Sequence, residues 1–409
     1  MNHRVAIVGQ GFVTAFGETW EENKTKILAC ENAVRHMEEW ECIEGLITKV
    51  AAPCDNFVKP EHYTRKKIRS MSRVSIMATR ASELALTDSG LIDDPFIKSG
   101  DVGIAYGSSF GSTYAFQDFA TMLTENRTGD INANSYVKMM PQTAAVNISI
   151  FFGITGRIIP TSTACTSGSM AIGYAYEAIK NGYQTAMVAG GAEELSVCDA
   201  GVFDTMFATS SKNDTPKLTP SPFDANRDGL VIGEGAGTVV LEDWDHAVAR
   251  GAKIYGEIIG FATNSDATHI TSPNQVSIQK CIENSLKDAK LQAQNIGYIS
   301  AHGTGTGLGD VAESQATFNV FGNKTPISTL KSYFGHTLGA CGAVEAIAAV
   351  NMMNEGWFNP NLNLHDVDPK CADLNYIKDK PLNLDIELLQ SNNFAFGGIN
   401  TSLVFRRVK

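Results

Sequence analysis

Cysteine is scarce in this chain: eight occur in 409 residues, none in a Cys-x-x-Cys pair and none beside histidine at zinc-finger spacing. Neither a disulfide framework nor a structural zinc is expected. Basic residues are also in deficit, with 33 Lys and Arg against 44 Asp and Glu, and the resulting charge of -11 repels phosphate polymers and anionic membranes. Nucleic acid binding is excluded as the expected main role. Long apolar runs are missing. The longest uncharged stretch, Ile158 to Tyr176, is crowded with Ser, Thr and Gly and carries Pro160, so it reads as buried loop and helix and no membrane span is expected. Met1 to Gly11 shows no charged segment followed by an apolar core and a small-residue cleavage site, which gives a cytoplasmic expectation. With 43% hydrophobic and 19% charged residues, the composition is globular and not that of a disordered chain.

A chain of this length carries two or three units at roughly 150 residues each. Arg4 to Gly11, Val102 to Tyr106 and Thr185 to Val188 read as short buried strands ending at or near glycine. Val74 to Leu86 and Met170 to Ile179 have helical apolar spacing between them. The second half repeats the theme, with strand-like Ile254 to Ile259 and Ile296 to Ser300 alternating with helical Val276 to Ala289 and Ala343 to Met353. Strands alternating with helices give an α/β class. The division falls near Ala249 to Lys253, giving units 1–250 and 251–409.

Three segments carry residues able to do chemistry. In Thr161-Ser162-Thr163-Ala164-Cys165-Thr166-Ser167-Gly168 a cysteine stands just before an amphipathic helix, where backbone N–H groups and the helix dipole would stabilise a thiolate. The plain alternative is a buried structural cysteine. His302 in Ala301-His302-Gly303-Thr304-Gly305-Thr306 sits just past a strand's carboxyl end, and His336 in Lys331-Ser332-Tyr333-Phe334-Gly335-His336 opens the helix that follows. Both positions favour neutral imidazoles that donate hydrogen bonds; a satisfied structural histidine is the alternative for either alone. Asn393 to Asn400 pairs glycines with aromatics in a tight loop, and the glycine-rich 228–237 segment matches no nucleotide motif and reads as close packing.

Taken together, these segments, with Gly190-Gly191-Ala192-Glu193 and 221–237, resemble the motifs of the β-ketoacyl-acyl carrier protein synthases, in that family's order and over nearly the whole chain. The resemblance implies a thiolase-like fold, two related halves in an α-β-α-β-α layered arrangement. It implies an acyltransferase that condenses an acyl-enzyme thioester with malonyl-acyl carrier protein by decarboxylative Claisen chemistry. Cys165 would carry the acyl group, His302 and His336 would hold the enolate, and Lys331 and Glu345 would orient the histidines. The N–H groups of Cys165 and Phe396 would form the oxyanion hole, with Phe396 also a gate, and Thr304 and Thr306 would line the pantetheine tunnel. No cofactor and no metal are implied, since the substrates ride on the carrier's phosphopantetheine. The family implies a dimer, either of identical chains or with a chain-length-factor-like homologue.

Ala395 and Ile399 replace a glycine and a threonine common in relatives, and Tyr333-Phe334 replace smaller or more polar residues; these changes are expected to reshape the gate and acyl pocket. Asn32 to Leu46 resembles ketosynthases of bacterial aryl polyene pathways, which would make the substrate an aryl-primed polyenoyl chain. A thiolase acting on coenzyme A esters is one alternative, but it usually needs a second cysteine late in the chain, and Cys341 and Cys371 lie outside the late glycine-rich loop. A non-catalytic chain-length partner is another, against which Cys165 speaks. Within the acidic chain, Arg65, Lys66, Lys67, Arg69 and Arg73 fall within nine positions holding no acid, a patch expected to dock an acidic carrier.

Overall fold

The computed structural model describes residues 3–129 and 131–408. Eleven strands join in one sheet: β1 (Val5–Val13), β2 (Val102–Gly107), β3 (Ile158–Thr161), β4 (Ala186–Glu193), β5 (Gly235–Asp243), β6 (Gly256–Ser265), β7 (Tyr298–Ser300), β8 (Pro326–Ser328), β9 (Asn375–Tyr376), β10 (Leu388–Phe394) and β11 (Ile399–Arg406). β2 and β4 are buried along their whole length, in keeping with runs of small and apolar residues in which Glu193, at the end of β4, is the one charged group. Six helices matter for the site: α1 (Arg73–Asp88), α2 (Thr143–Phe152), α3 (Ser167–Lys180), α4 (Gln275–Asp288), α5 (Gly307–Phe321) and α6 (Cys341–Glu355).

The sheet order is β9-β8-β7-β10-β11-β6-β1-β5-β4-β2-β3. With the two-residue edge strand β9 left aside, each side repeats one topology from the middle outward: β1-β5-β4-β2-β3 on one and β6-β11-β10-β7-β8 on the other place the first, fifth, fourth, second and third strands of their segment side by side. The pairing senses match as well. In each segment the second strand is parallel to the third and fourth, and the fifth is antiparallel to both its neighbours. β1 pairs with β6 and joins the two.

α3 and α6 pack against each other and against strands of both segments, forming the central helical layer; α1 with α2 covers the outside of the first segment, and α4 with α5 that of the second. This is the layered α-β-α-β-α thiolase-like architecture. α6 is buried along nearly its whole length because both its faces meet protein. Close packing of this layer depends on absent side chains: a Cβ on Gly191 would meet the Gly339 carbonyl at 2.3 Å, and one on Gly168 would meet it at 2.9 Å. Among the described residues no helix is long and apolar enough to cross a membrane. All eight cysteines are free.

Candidate active site

The stretch 158–176 that resisted a membrane reading is strand, turn and helix in succession. β3 ends at Thr161, a single 3-10 turn spans Ala164–Thr166, and α3 begins at Ser167. The hydroxyl residues lock this turn: Ser167 Oγ donates to the Ala164 carbonyl at 2.7 Å and accepts from Thr163 N–H at 3.0 Å, and Thr166 Oγ1 donates to the Thr163 carbonyl at 2.7 Å. Ala164 takes a left-handed φ of +49°, which sets Cys165 at the start of the central helix. Cys165 is buried, and burial pushes its thiol up to about 11; Lys331 and the N–H groups of Phe396 and Cys165 itself pull the other way without winning. The thiolate expected from the helix terminus is therefore not the resting state, because desolvation outweighs the dipole.

His302 follows β7 and is held by its backbone: its N–H and that of Gly303 donate to the two oxygens of Glu313 on α5, each at 2.7 Å. Gly303 and Gly305, at φ +44° and +80°, let the loop fold back so that Thr304 and Gly305 N–H both reach Asp310 at 3.1 Å. His336 does not open a helix as expected. It lies between the helical turn Lys331–Phe334 and the 3-10 turn Leu338–Ala340 that leads into α6.

His336 Nδ1 accepts from Leu338 N–H at 3.2 Å, and His302 Nδ1 faces Asn393 Nδ2 at 3.4 Å, so each neutral ring carries its proton on Nε2. The two rings meet edge to face with centroids 5.1 Å apart. Cys165 Sγ and one nitrogen from each ring lie within 4.8 Å of one another. Burial, reinforced by Lys331, holds both imidazoles well below their ordinary range, hence neutral at physiological pH.

Lys331 and Glu345 lie behind the histidines, buried, with Nζ and Oε1 2.5 Å apart. Burial works to neutralise Lys331, and neighbouring acids including Glu345 more than reverse this. Its charge thus acts on all three groups at once, favouring neutral imidazoles and a lower thiol pKa. Asn393 completes the network by donating to Glu345 Oε2 at 2.8 Å.

One pocket brings together Cys165, His302, His336, Thr304, Thr306 and Phe396. The Thr304 and Thr306 hydroxyls are 2.9 Å apart. Phe396 lies in the turn between β10 and β11, its ring 5.1 Å from that of Phe203 on the helix Val197–Asp204. Around Cys165 the apolar cluster takes in Phe110, Phe203, Leu230, Ala395 and Ile399, and the 32–46 segment adds Met37, Trp40 and Leu46.

Two further expectations need correction. Tyr333 and Phe334 do not shape the pocket: both are buried in the main core, with Tyr333 Oη donating to the Pro360 carbonyl and Phe334 packed on Phe16. Arg73 is not a free docking cation. Its guanidinium is bidentate on buried Glu234, at 2.8 and 2.9 Å, and Nη2 also donates to the Cys54 carbonyl. Arg65, Lys66 and Arg69 are exposed and in no ion pair among the described residues, and Lys67 lies over the Phe151 ring.

Four supporting groups escaped the sequence reading: Glu193, Asp310, Glu313 and Asn393. Glu193 accepts from Ser108 Oγ and the N–H groups of Ser109, Phe110 and Gly339, tying the first segment's loops to the turn before α6. Glu193 and Asn393 stand inside motifs already singled out. Asp310 and Glu313, three apart at the start of α5, share the helix face that meets the His302 loop.

The sequence matches the family models "Beta-ketoacyl synthase, N-terminal domain" over residues 2–247 and "Beta-ketoacyl synthase, C-terminal domain" over 255–365. It is 33% identical to 3-oxoacyl-[acyl-carrier-protein] synthase 2 of Synechocystis, covering 99% of this chain and 98% of the relative. It is 38% identical to 3-oxoacyl-[acyl-carrier-protein] synthase 1 of Escherichia coli K12 over 84% and 85% of the two chains. The crystal structure of a β-ketoacyl synthase from Burkholderia phymatum superposes with a TM-score of 0.98 at 56% identity over 100% of both chains. A type II polyketide ketosynthase solved with its acyl-carrier protein aligns over 100% of both chains with a TM-score of 0.89 at 28% identity. Fold, site and relatives converge, and the chain belongs to the β-ketoacyl synthase family.

Proposed function

We propose that this protein extends acyl chains by two carbons, transferring an acyl group to Cys165 and condensing it with malonyl-acyl carrier protein. The observation that carries this reading is the approach of Cys165 Sγ to two neutral imidazoles within 4.8 Å at the floor of an accessible pocket. In the first step Sγ attacks the thioester carbonyl, the pantetheine sulfur departs, and the thiol proton leaves with it. A thiol resting near 11 suits this exchange, since the proton stays on sulfur until an acceptor arrives.

Malonyl-carrier then binds and loses carbon dioxide. The charge left on its thioester oxygen is held by the Nε2 protons of His302 and His336, aimed there because their Nδ1 atoms are already occupied. The enolate carbon attacks the acyl-Cys165 carbonyl; its oxyanion is held by the N–H groups of Cys165 and Phe396, and collapse releases the 3-oxoacyl chain on the carrier and expels the Cys165 sulfur, which takes a proton from solvent. Lys331 and Glu345 fix the electrostatics, and Thr304 and Thr306 receive the pantetheine arm. No metal and no cofactor enters these steps.

The acyl carrier docks at the exposed Arg65, Lys66, Lys67 and Arg69, and the working unit is a dimer of identical chains or a pair with a chain-length-factor-like homologue. Two observations support pairing: β3 ends the sheet with Ile158 partly exposed, and Tyr114, Leu123 and Ile150 are exposed apolar residues in the same half of the chain. Residues 1–250 and 251–409 are the two units, in line with the repeated topology and with family models that stop at 247 and resume at 255. An aryl-primed polyenoyl substrate is the narrower reading, supported by Met37 and Trp40 of the 32–46 segment packing in the Cys165 cluster. Intact-mass measurement after incubation with a panel of acyl-carriers tests the reading. An acyl adduct on the native enzyme and none on Cys165→Ala is expected; an equal adduct on both would overturn it.

A further inference from the structure

The turn that holds Cys165 is fixed carbonyl by carbonyl. Five successive carbonyls, Thr163 to Ser167, each accept a hydrogen bond from a side chain. Four of the donors are hydroxyls of the same stretch: Thr166 reaches Thr163, Ser167 reaches Ala164, Ser169 reaches Thr166 at 3.1 Å, and Thr161 reaches Ser167 at 2.8 Å. The fifth comes from the other half of the chain. The carbonyl of Cys165 itself accepts from the thiol of Cys341, 176 residues away, at 3.3 Å.

Cys341 is the first residue of α6. Its neighbour Gly342 is backed onto α3 and β10 so closely that a Cβ there would meet Ser169 N at 2.9 Å and Asn393 Oδ1 at 2.6 Å, which keeps the start of α6 from sliding against that of α3. Cys341 is 2% exposed and stands outside the lining of the Cys165 pocket, so it acts on the reaction only through its neighbours. Burial holds its thiol well above the ordinary range even with Lys331 near, so the sulfur keeps its one proton for the Cys165 carbonyl. On its other side the sulfur lies 3.8 Å from Asn393 Nδ2, the amide that donates to Glu345 and faces His302. Cys341 thus stands between the nucleophile's turn and the groups behind the histidines.

We propose that Cys341 is a positioning residue for the nucleophile: its S–H fixes the Cys165 carbonyl, and with it the direction in which Cys165 presents its sulfur and its N–H to the incoming thioester. This rests on the acyl-enzyme reading above. Sulfur, N–H and carbonyl of Cys165 share one Cα, so a carbonyl that swings carries the other two with it. Ala164 before it is left-handed at φ +49°, a conformation that the surrounding bonds must maintain. A displacement of about 1 Å at the attacking atom is enough to slow the attack markedly.

The test removes the donor and then restores one. Single-turnover acyl transfer to Cys165 is followed with the acyl-carrier that loads the native enzyme fastest, and carbon dioxide release from malonyl-carrier is followed separately. Cys341→Ala should slow acyl transfer at saturating carrier by about 5- to 20-fold, with the half-saturating carrier concentration unchanged and carbon dioxide release altered less than about twofold. Cys341→Ser, which puts an O–H donor back on the same carbon, should recover most of the lost rate. Acyl transfer unchanged in Cys341→Ala, with or without a lower thermal midpoint, overturns the inference and makes Cys341 a filler of the core. So does Cys341→Ser as slow as Cys341→Ala, or a loss shared equally by acyl transfer and carbon dioxide release; both leave the acyl-enzyme reading standing. No transfer to the native Cys165 from any carrier would instead fail the acyl-enzyme reading itself.

Discussion

The two segments of the sheet share strand order, pairing sense and a central helix entered through a single 3-10 turn, yet they equip that turn differently. In the first, the turn is Ala164-Cys165-Thr166; in the second it is Leu338-Gly339-Ala340, and the leading residue of each is left-handed, at φ +49° and +46°. Cys165 thus has glycine as its counterpart. Gly339 brings its carbonyl against Gly168 and Gly191 and donates its N–H to Glu193, so the second turn serves as the seat on which the first is mounted. Connections diverge too. β8 is followed by 329–337, which carries Lys331 and His336, whereas β3 runs almost directly into its turn. The first segment places a long excursion, 194–234, between its last two strands and so supplies the pocket wall; the second uses the tight turn 395–398. One repeated topology carries a cysteine and the pocket wall in one half, and two histidines with a lysine in the other.

That division is broken most sharply by Cys165→Ala. We expect condensation to fall by at least about 10³-fold, with malonyl-carrier decarboxylation retained, since the histidines keep their partners. Carbon dioxide release and 3-oxoacyl product measured side by side check this; parallel loss of both would show that the segments do not act separately. Next in size is Lys331→Met, which leaves Glu345 buried without its cation and costs about 3–5 kcal/mol of stability by denaturant unfolding. The double change Lys331→Met with Glu345→Leu should recover most of that stability and none of the activity. Recovered activity would mean the charge itself is dispensable. His336→Ala should lower decarboxylation by about 10²- to 10³-fold while changing acyl transfer to Cys165 only a few-fold.

The resting protonation of Cys165 gives a smaller, graded effect. With its thiol near 11, alkylation by a small reagent should rise about tenfold per pH unit from 7 to 10, because only the thiolate reacts. Lys331→Met removes a charge that lowers this pKa, so its profile should shift toward higher pH. A plateau reached near pH 8 would show a thiolate already stabilised at rest, as the helix terminus alone would give.

That contrast marks where sequence reasoning stopped. Strand and helix positions were legible because β2, β4, α3 and α6 have runs and spacings that only one secondary structure accommodates. Cys165, His302 and His336 were legible because motif order brought them together. Burial was not: whether a cysteine at a helix start is a thiolate depends on how much protein lies over it, and that cover comes from Phe396, Leu338 and Phe203, far away in the chain. The same holds for Tyr333 and Phe334, whose neighbours in sequence line the site while their side chains turn into the core. Asp310 and Glu313 look like surface acids of a helix until the folded-back His302 loop presents its N–H groups to them.

The basic run 65–73 carries the smallest expected effect and separates residues that composition treats alike. Lys66 and Arg69 are exposed and in no ion pair among the described residues, so Lys66→Glu or Arg69→Glu should weaken carrier binding about 2- to 10-fold at low salt, with the difference fading as salt screens it. Arg73→Glu should act through the fold. It sets a second carboxylate against Glu234, whose oxygens also hold Cys54 and Leu195 N–H groups, and so should lower the thermal midpoint without the salt-dependent signature in carrier affinity. If Arg73→Glu instead behaves as Lys66→Glu does, stable and deficient only at low salt, then the Glu234 pair is not what holds this arginine, and the docking surface extends onto the start of α1.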